Sequence, residues 1–216
     1  MSGKKIGGAG LRGQSAGETS ICTVGVSGSG LTYRGYDIVD LAENTSFEEV
    51  AYLLLHDKLP NSQELKDYIE KLKSLRGLQP ELRSTLEGIP KTAHPMDVLR
   101  TGCSVLGNLE QEEGFLNQSD HADRMLSVFP SILSYWYQFS HNGKRIDTET
   151  NDDTIGGHFL HLLHGKKPSQ LHDQVMSISL ILYAEHEFNA STFAARVCAS
   201  TLSDIHSAVT SAIGTL

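Results

Sequence analysis

Tyr183, His186 and Asn189 stand at steps of three in YAEHEFNAST, where one helical pattern closes and another opens. On an approximately helical path, steps of three keep side chains on adjoining sectors, so these polar groups can converge on one small ligand. An imidazole donates a hydrogen bond to a carboxylate or a carbonyl. An asparagine amide donates, accepts, or caps a helix beginning at Ala190. An open helix N-terminus at that point would also favour an anion through its backbone dipole. A plainer description fits the same letters: a helix cap beside an exposed histidine. Spacing alone leans toward the plainer one.

Other chemistry-bearing residues carry less. His158, His161 and His164 in IGGHFLHLLHG invite a metal reading, but each step of three rotates the side chain by about −60°, leaving the first and third roughly 120° apart. No HExxH pair is present, so these histidines are read as packing, capping or exposed, and no metal site is expected. A phosphate cradle needs consecutive backbone N–H groups at a strand-to-helix junction. Gly7, Gly8, Gly10, Gly25, Gly28, Gly30 and Gly35 are read instead as a flexible terminus and hairpin turns. Tyr135, Trp136 and Tyr137 are successive and so point apart on a helix, which suits core or interface packing. There is no GxSxG elbow, and no cysteine has a histidine beside it in sequence.

Composition narrows the classes. The chain has 216 residues, 39% hydrophobic and 20% charged, as an ordinary globular protein does. Its net charge of −8 disfavours nucleic acid and anionic lipid as partners, because both need a surplus of Lys and Arg. Cys22, Cys103 and Cys198 are odd in number and widely spaced, which points to free thiols in a reducing compartment and a cytoplasmic location. No stretch approaches the roughly 18 uninterrupted apolar residues of a membrane span.

The elements that must position the candidate residues are mostly helical. Residues 1–36 read as a flexible N-terminus and a short β-hairpin, with strands in Ser20–Gly25 and Gly30–Tyr36. From Asp37 the period is helical. Ser46 and Glu49 form a capping-box pattern ahead of a helix that stops before Pro60, and Asn61 or Ser62 opens another that runs to Gly77. Shorter helices are expected at Pro80–Leu86 and Pro95–Leu106. Ser119–Phe139 reads as one long helix that Pro130 kinks or divides. A polar loop with Asp147, Glu149, Asp152 and Asp153 is read as a solvated connection. Helices follow at Thr154–His164, Ser169–Tyr183 and, as a single last element, Ala190–Ile213. The fold class is therefore mainly α, with a β-hairpin at the start.

Six segments go further. YRGYDI (Tyr33–Ile38), FEEVAYLLLHDKLP (Phe47–Pro60), HPMDVLRTG (His94–Gly102), IGGHFLHLLHG (Ile155–Gly165) and AEHEFNAST (Ala184–Thr192) resemble the citrate synthase family, in family order. YWYQFSHNGKRI (Tyr135–Ile146), with IGGHFLHLLHG, is similar to the bacterial 2-methylcitrate synthase branch. The resemblance implies a multi-helical large domain, with residues 37–216 as its N-terminal part, and a homodimer. It implies that His186 contacts oxaloacetate, that Asn189 lies in the same binding segment, and that Tyr183 stands near the pocket and affects acyl-chain selection. No tightly bound cofactor is implied; acyl-CoA, either propionyl-CoA or acetyl-CoA, is a substrate.

The family's glycine-rich loop, its catalytic histidines and its catalytic aspartate follow the segment that SAVTSAIGTL matches, so none is expected within this chain. The small domain and C-terminal remainder are expected to be absent too, which makes a lone 1–216 polypeptide an inactive part of a condensing enzyme. A noncatalytic helical dimerisation or ligand-binding module is the alternative of another class.

Overall fold

A computed structural model describes residues 17–25 and 30–216. The readings placed on Gly7, Gly8, Gly10 and Gly28, and on a flexible terminus before Gly17, lie outside the described residues. The expected hairpin is present as β1 (Cys22–Val24) and β2 (Leu31–Tyr33), antiparallel with Cys22 opposite Tyr33. A third strand, β3 (Tyr36–Asp37), adds to β2 through a turn in which Arg34 and Gly35 both take positive φ, 49° and 88°. Glycine has no steric penalty there. Asp37 then caps α1 (Ile38–Asn44), its Oδ1 accepting from the Val39 amide at 2.8 Å, a short helix not separated out by the sequence pattern.

The predicted caps are made. Ser46 and Glu49 close the expected capping box on α2 (Phe47–His56), and of the two starts offered for α3 (Ser62–Ser74) Asn61 is the cap, with Glu64 closing a second box not read from the sequence pattern. Pro80 and Pro95 occupy the first turns of α4 (Pro80–Glu87) and α5 (Pro95–Leu109), where a missing N–H leaves no bond unmade. Gln118–Asn142 is one continuous helix, α6, with Pro130 inside it, so the proline does not divide the element. α7 (Ile155–His164) ends at left-handed Gly165, and α8 (Gln170–Leu182) follows.

Two expectations are corrected. The last apolar stripe is not one helix but two, α9 (Ala190–Ser200) and α10 (Ile205–Ile213). Leu202 adopts φ 63°, and Asp204 accepts from the Ser207 amide at 2.9 Å to start the second helix. The two helices pack on each other, but only the α10 part of the stripe, at Ala208 and Ile213, is buried. The loop at 147–153 is not simply solvated: Thr148 is fully buried, and Asp152 is buried against His161, with Oδ2 2.6 Å from Nδ1. Arg76, also buried, donates to the Thr150 and Asp152 carbonyl oxygens at 2.9 and 2.7 Å and holds that loop against the α3–α4 corner.

The described helices bury two apolar clusters on either side of α6. One gathers Leu82, Leu86, Val98, Cys103, Leu106, Val128, Ile132 and Ile213 from α4, α5, α6 and α10. The other gathers Cys22, Tyr33, Leu41, Val50, Leu53, Leu72, Ile155 and Ile181 from the sheet, α1, α2, α3, α7 and α8. Tyr135 and Trp136 are buried while Tyr137 is exposed, as successive helical residues must be. His158 is fully buried, with Ser131 Oγ 3.1 Å from Nε2 and Thr150 Oγ1 3.0 Å from Nδ1; His164 is exposed.

Two stability predictions follow from this packing. A Cβ on Gly102 would stand 2.7 Å from Ile132 Cγ2, so Gly102→Ala forces α5 and α6 apart and is expected to destabilise by about 1–3 kcal/mol. Urea denaturation checks it, and an unchanged midpoint would show that the two helices separate freely. Burial, with the Arg76 guanidinium nearby, pushes the His158 imidazole down from 6.5 to about 3. The folded value lies below the unfolded one, so as pH falls the unfolded chain takes up the proton first. The stability held by neutral His158 is complete above about pH 6.5 and is lost toward pH 3, by up to about 4 kcal/mol. His158→Gln, which stays neutral, is expected to flatten stability against pH between about 6.5 and 4; the same slope in both proteins would contradict it.

Candidate functional site

Ile181, fully buried, is the last anchor of α8 in the apolar core beside the sheet. Past it the chain leaves regular structure, and Asn189 starts α9. Tyr183 forms the C-cap of α8, its amide donating to the Ser179 carbonyl at 3.2 Å, and its side chain is 90% exposed. His186 is exposed on the turn. Asn189 is the N-cap of α9, with Oδ1 accepting from the Thr192 amide at 2.9 Å. The cap uses the oxygen, so the group Asn189 can offer a ligand is its amide nitrogen.

The geometry differs from a helical path. Glu187 is left-handed, with φ 53°, and Asn189 is extended, with φ −62° and ψ 169°. Steps of three through this turn therefore do not stack the side chains on adjoining sectors of a helix. What the turn does is lift His186 clear of the surface while anchoring the residues on either side of it.

Those anchors come from the N-terminal sheet, about 150 residues earlier in the chain, at sequence separations of 148 to 165. Tyr33 is fully buried, and its hydroxyl hydrogen faces the Ile181 carbonyl oxygen at 2.9 Å and that of Glu185 at 3.2 Å. The Glu185 amide donates back to the same hydroxyl at 3.3 Å. The Glu187 amide donates to Cys22 Sγ at 3.2 Å, and Glu187 Oε1 accepts from the Val24 amide at 3.0 Å. On the far side, Arg196 lies over the Phe188 ring, 4.4 Å from its centroid. Sequence reasoning missed Tyr33, Cys22, Glu185 and Glu187. Tyr33 stood in a family-like segment, but nothing local tied that segment to the turn.

Electrostatics follow burial. The Cys22 thiol and the Tyr33 phenol are both pushed up, chiefly by loss of water, so each is a neutral partner for the turn's backbone. Glu185 is also held above the ordinary carboxylate range, first by burial. Beside the turn, an open groove of about 500 Å³ is lined by Leu54, Leu126, Phe129, Leu180, Tyr183 and Ala184. It is an apolar space with one aromatic rim. A second cleft, of about 470 Å³, lies between loop 146–152 and the end of α7, where the His161–Asp152 pair satisfies itself. Among the described residues, no three His, Cys, Asp or Glu side chains gather as a metal site.

Comparison with known proteins sets this turn in context. The family model for the citrate synthase, C-terminal domain, matches residues 10–216. The chain is 70% identical over 213 residues to the 2-methylcitrate synthase of Shewanella oneidensis, covering 99% of this chain and 57% of that protein. The crystal structure of citrate synthase from Thermotoga maritima superposes with a TM-score of 0.82 at 35% identity, covering 96% of this chain and 55% of that one. Citrate synthase of Thermoplasma acidophilum, in a ternary complex with carboxymethyl coenzyme A and oxaloacetate, superposes with a TM-score of 0.88 at 26% identity over 95% of this chain and 55% of that one. This chain spans a little over half the length of the relatives it matches. By the extent of the family match and by the fold alike, it belongs to the citrate synthase family.

Proposed function

We propose that this chain supplies the keto-acid-contacting turn of an acyltransferase that condenses propionyl-CoA with oxaloacetate and water, releasing 2-methylcitrate and CoA. The observation that carries the reading is the 70% identity to a 2-methylcitrate synthase, sustained over 99% of the chain. In this reading His186 donates to a carboxylate or the carbonyl of oxaloacetate. Asn189 and the N-terminus of α9 favour the same anion, and Tyr183 borders the groove that takes the short acyl chain.

The chemistry needs an enol at the acyl α-carbon. A base removes the α-proton, an acid stabilises the enolate oxygen, the enol carbon attacks the keto carbon, and water then cleaves the thioester. Acid and base must act together in one dry site. His186 binds and orients the keto acid; the proton-transfer groups are assigned to sequence outside residues 1–216. Acyl-CoA enters as substrate, and no tightly bound cofactor is required.

A homodimer belongs to the same proposal. The outer stripe of α8 leaves Leu171, Val175 and Leu182 66%, 55% and 48% exposed, and no residue of α9 is fully buried. Such an apolar face suits cover by another subunit. Among the described residues no helix is long and apolar enough to cross a membrane, and the three cysteines are free. These support a cytoplasmic setting, and the net charge of −8 supports small-molecule rather than nucleic-acid partners. A second reading, citrate synthase acting on acetyl-CoA, has less behind it, since the likeness to the Thermotoga maritima citrate synthase is 35% against 70% to the 2-methylcitrate synthase.

A purified 1–216 polypeptide is expected to release no CoA from propionyl-CoA and oxaloacetate, whereas a protein carrying this chain and spanning its relatives' full length is expected to do so. A thiol-trapping assay for CoA reads both, and turnover by 1–216 alone would overturn the assignment of the proton-transfer groups. In the longer protein, a higher kcat/KM for propionyl-CoA than for acetyl-CoA is expected; the reverse order would select the second reading. His186→Ala is expected to raise KM for oxaloacetate about tenfold or more, as losing one hydrogen bond to a charged ligand does.

A further inference from the structure

The side chain the site reading depends on is among the least supported on its turn. His186 is exposed, and none of the hydrogen bonds among the described residues involves its ring. The position of its Cα and the direction of its Cα–Cβ bond are therefore set by its backbone, and the backbone on both sides is held from the N-terminal sheet. Glu185 is tied through its amide to Tyr33, and Glu187 through its amide to Cys22 and through its carboxylate to the Val24 amide. Both sheet side chains are almost wholly buried, Tyr33 at 0% and Cys22 at 2% exposure, and both belong to the apolar cluster that includes Ile181. They stand opposite each other in the β1–β2 register, so a single rung of the sheet grips the turn at two points.

Glu187 needs the grip. Its φ of 53° is unfavourable for a residue with a Cβ, and such a conformation persists where surrounding contacts over-determine it.

We propose that Tyr33 and Cys22 are positioning residues for His186, a two-point clamp by which the N-terminal sheet fixes the ligand-facing turn. The proposal rests on the reading that His186 contacts the keto acid. Neither residue touches substrate; each acts through the backbone of Glu185 or Glu187. Losing the Tyr33 hydroxyl frees the Glu185 amide and the Ile181 carbonyl. Losing the Cys22 sulfur frees the Glu187 amide and releases the left-handed residue beside His186.

The test uses a protein that carries this chain and spans its relatives' full length. Tyr33→Phe keeps the ring and removes the hydroxyl, and Cys22→Val keeps an apolar, slightly larger side chain and removes the acceptor. Cys22→Ser restores an acceptor for the Glu187 amide. Hydrogen exchange at the amides of Glu185 and Glu187 is expected to rise roughly tenfold in Tyr33→Phe and Cys22→Val, and much less in Cys22→Ser, while α5 and α6 keep their protection. KM for oxaloacetate is expected to rise severalfold in the first two and return toward the parent value in Cys22→Ser, with KM for the acyl-CoA moved less.

Unchanged exchange at the turn would overturn the clamp. So would a loosened turn with an unmoved KM for oxaloacetate in a protein where His186→Ala raises that KM, and the site reading would then stand without it. If His186→Ala leaves the oxaloacetate KM unmoved, the site reading falls and the positioning role falls with it, even though the exchange data would still describe the sheet's hold on the turn. Loss of protection throughout α5 and α6 in both Tyr33→Phe and Cys22→Val would assign the two residues to global folding and overturn the proposal as well.

Discussion

A helix that serves two apolar cores at once has little room for water on any side, and α6 is such a helix. Met125, Val128 and Ile132 pack into the cluster formed with α4, α5 and α10, while Leu126 reaches the cluster on the sheet side. Burying polar groups along such an element is costly unless each finds a partner. Asp123 takes the Tyr68 hydroxyl at 2.8 Å and the Lys71 ammonium at 2.7 Å, which fixes α3. Arg124 donates to Glu110 at 3.0 Å and to the Leu75 carbonyl, which fixes the corners after α3 and α5. Ser131 meets His158, and Gln138 donates to the Leu162 and Leu163 carbonyls at 3.1 and 2.7 Å, which fixes α7. The polar exceptions on α6 thus decide where its neighbours sit, while the apolar majority supplies the driving force.

That placement reaches the candidate site through a short sequence of contacts. α7 is set against α6, and α8 packs on α7. Glu48, buried and with its carboxyl pushed up by loss of water, accepts from the Ile155 amide at 2.7 Å and ties the start of α7 to α2. Phe47 donates its amide to Ser177 Oγ at 3.1 Å, which ties α2 to α8 as well. α8 therefore arrives at Ile181 in a defined position, and the chain turns away from the core there. A turn leaving a core exposes backbone groups that no helix satisfies. The N-terminal sheet stands at that exit and satisfies them.

Local grammar made much of this fold legible. Ser46 with Glu49, Asn61 or Ser62 as a helix start, Pro80 and Pro95 at first turns, and Gly143 and Gly165 at helix ends each act within a few residues, so their geometry is written in adjacent letters. The same locality explains the errors. The apolar stripe from Phe193 to Ala212 keeps its period across Leu202 and Asp204, and the period does not register that one residue turned left-handed and another started a new helix. Asp147, Glu149 and Asp153 are exposed, as a solvated run should be, but Asp152 and the loop backbone are claimed by His161 and the buried Arg76, which are read elsewhere. At the site, His186, Asn189 and Tyr183 were visible as polar letters at a helix seam. Tyr33 and Cys22 were not, since a hydroxyl or thiol that acts across 148 to 165 residues leaves no periodic trace.

The contrast between an exposed imidazole and a strained, tethered backbone bears on what the proposed contact with a ligand would cost. A flexible turn would have to be ordered by the ligand, and each immobilised group would subtract from affinity. Here most of that ordering is done during folding. The left-handed Glu187 costs about 1–3 kcal/mol in isolation, and its contacts to Cys22 and Val24 offset that cost before any ligand arrives. The side chain is left free to choose a rotamer, while its Cα and the flanking amides are not free to move. Under the proposed reading, a histidine presented this way would lose one or two torsions on binding rather than a whole turn, the form of pre-organisation that holding a small anion in one orientation requires. That economy depends on the sheet and the helices folding as one body, because the clamp is made by residues near the start of the chain and the turn by residues near its end.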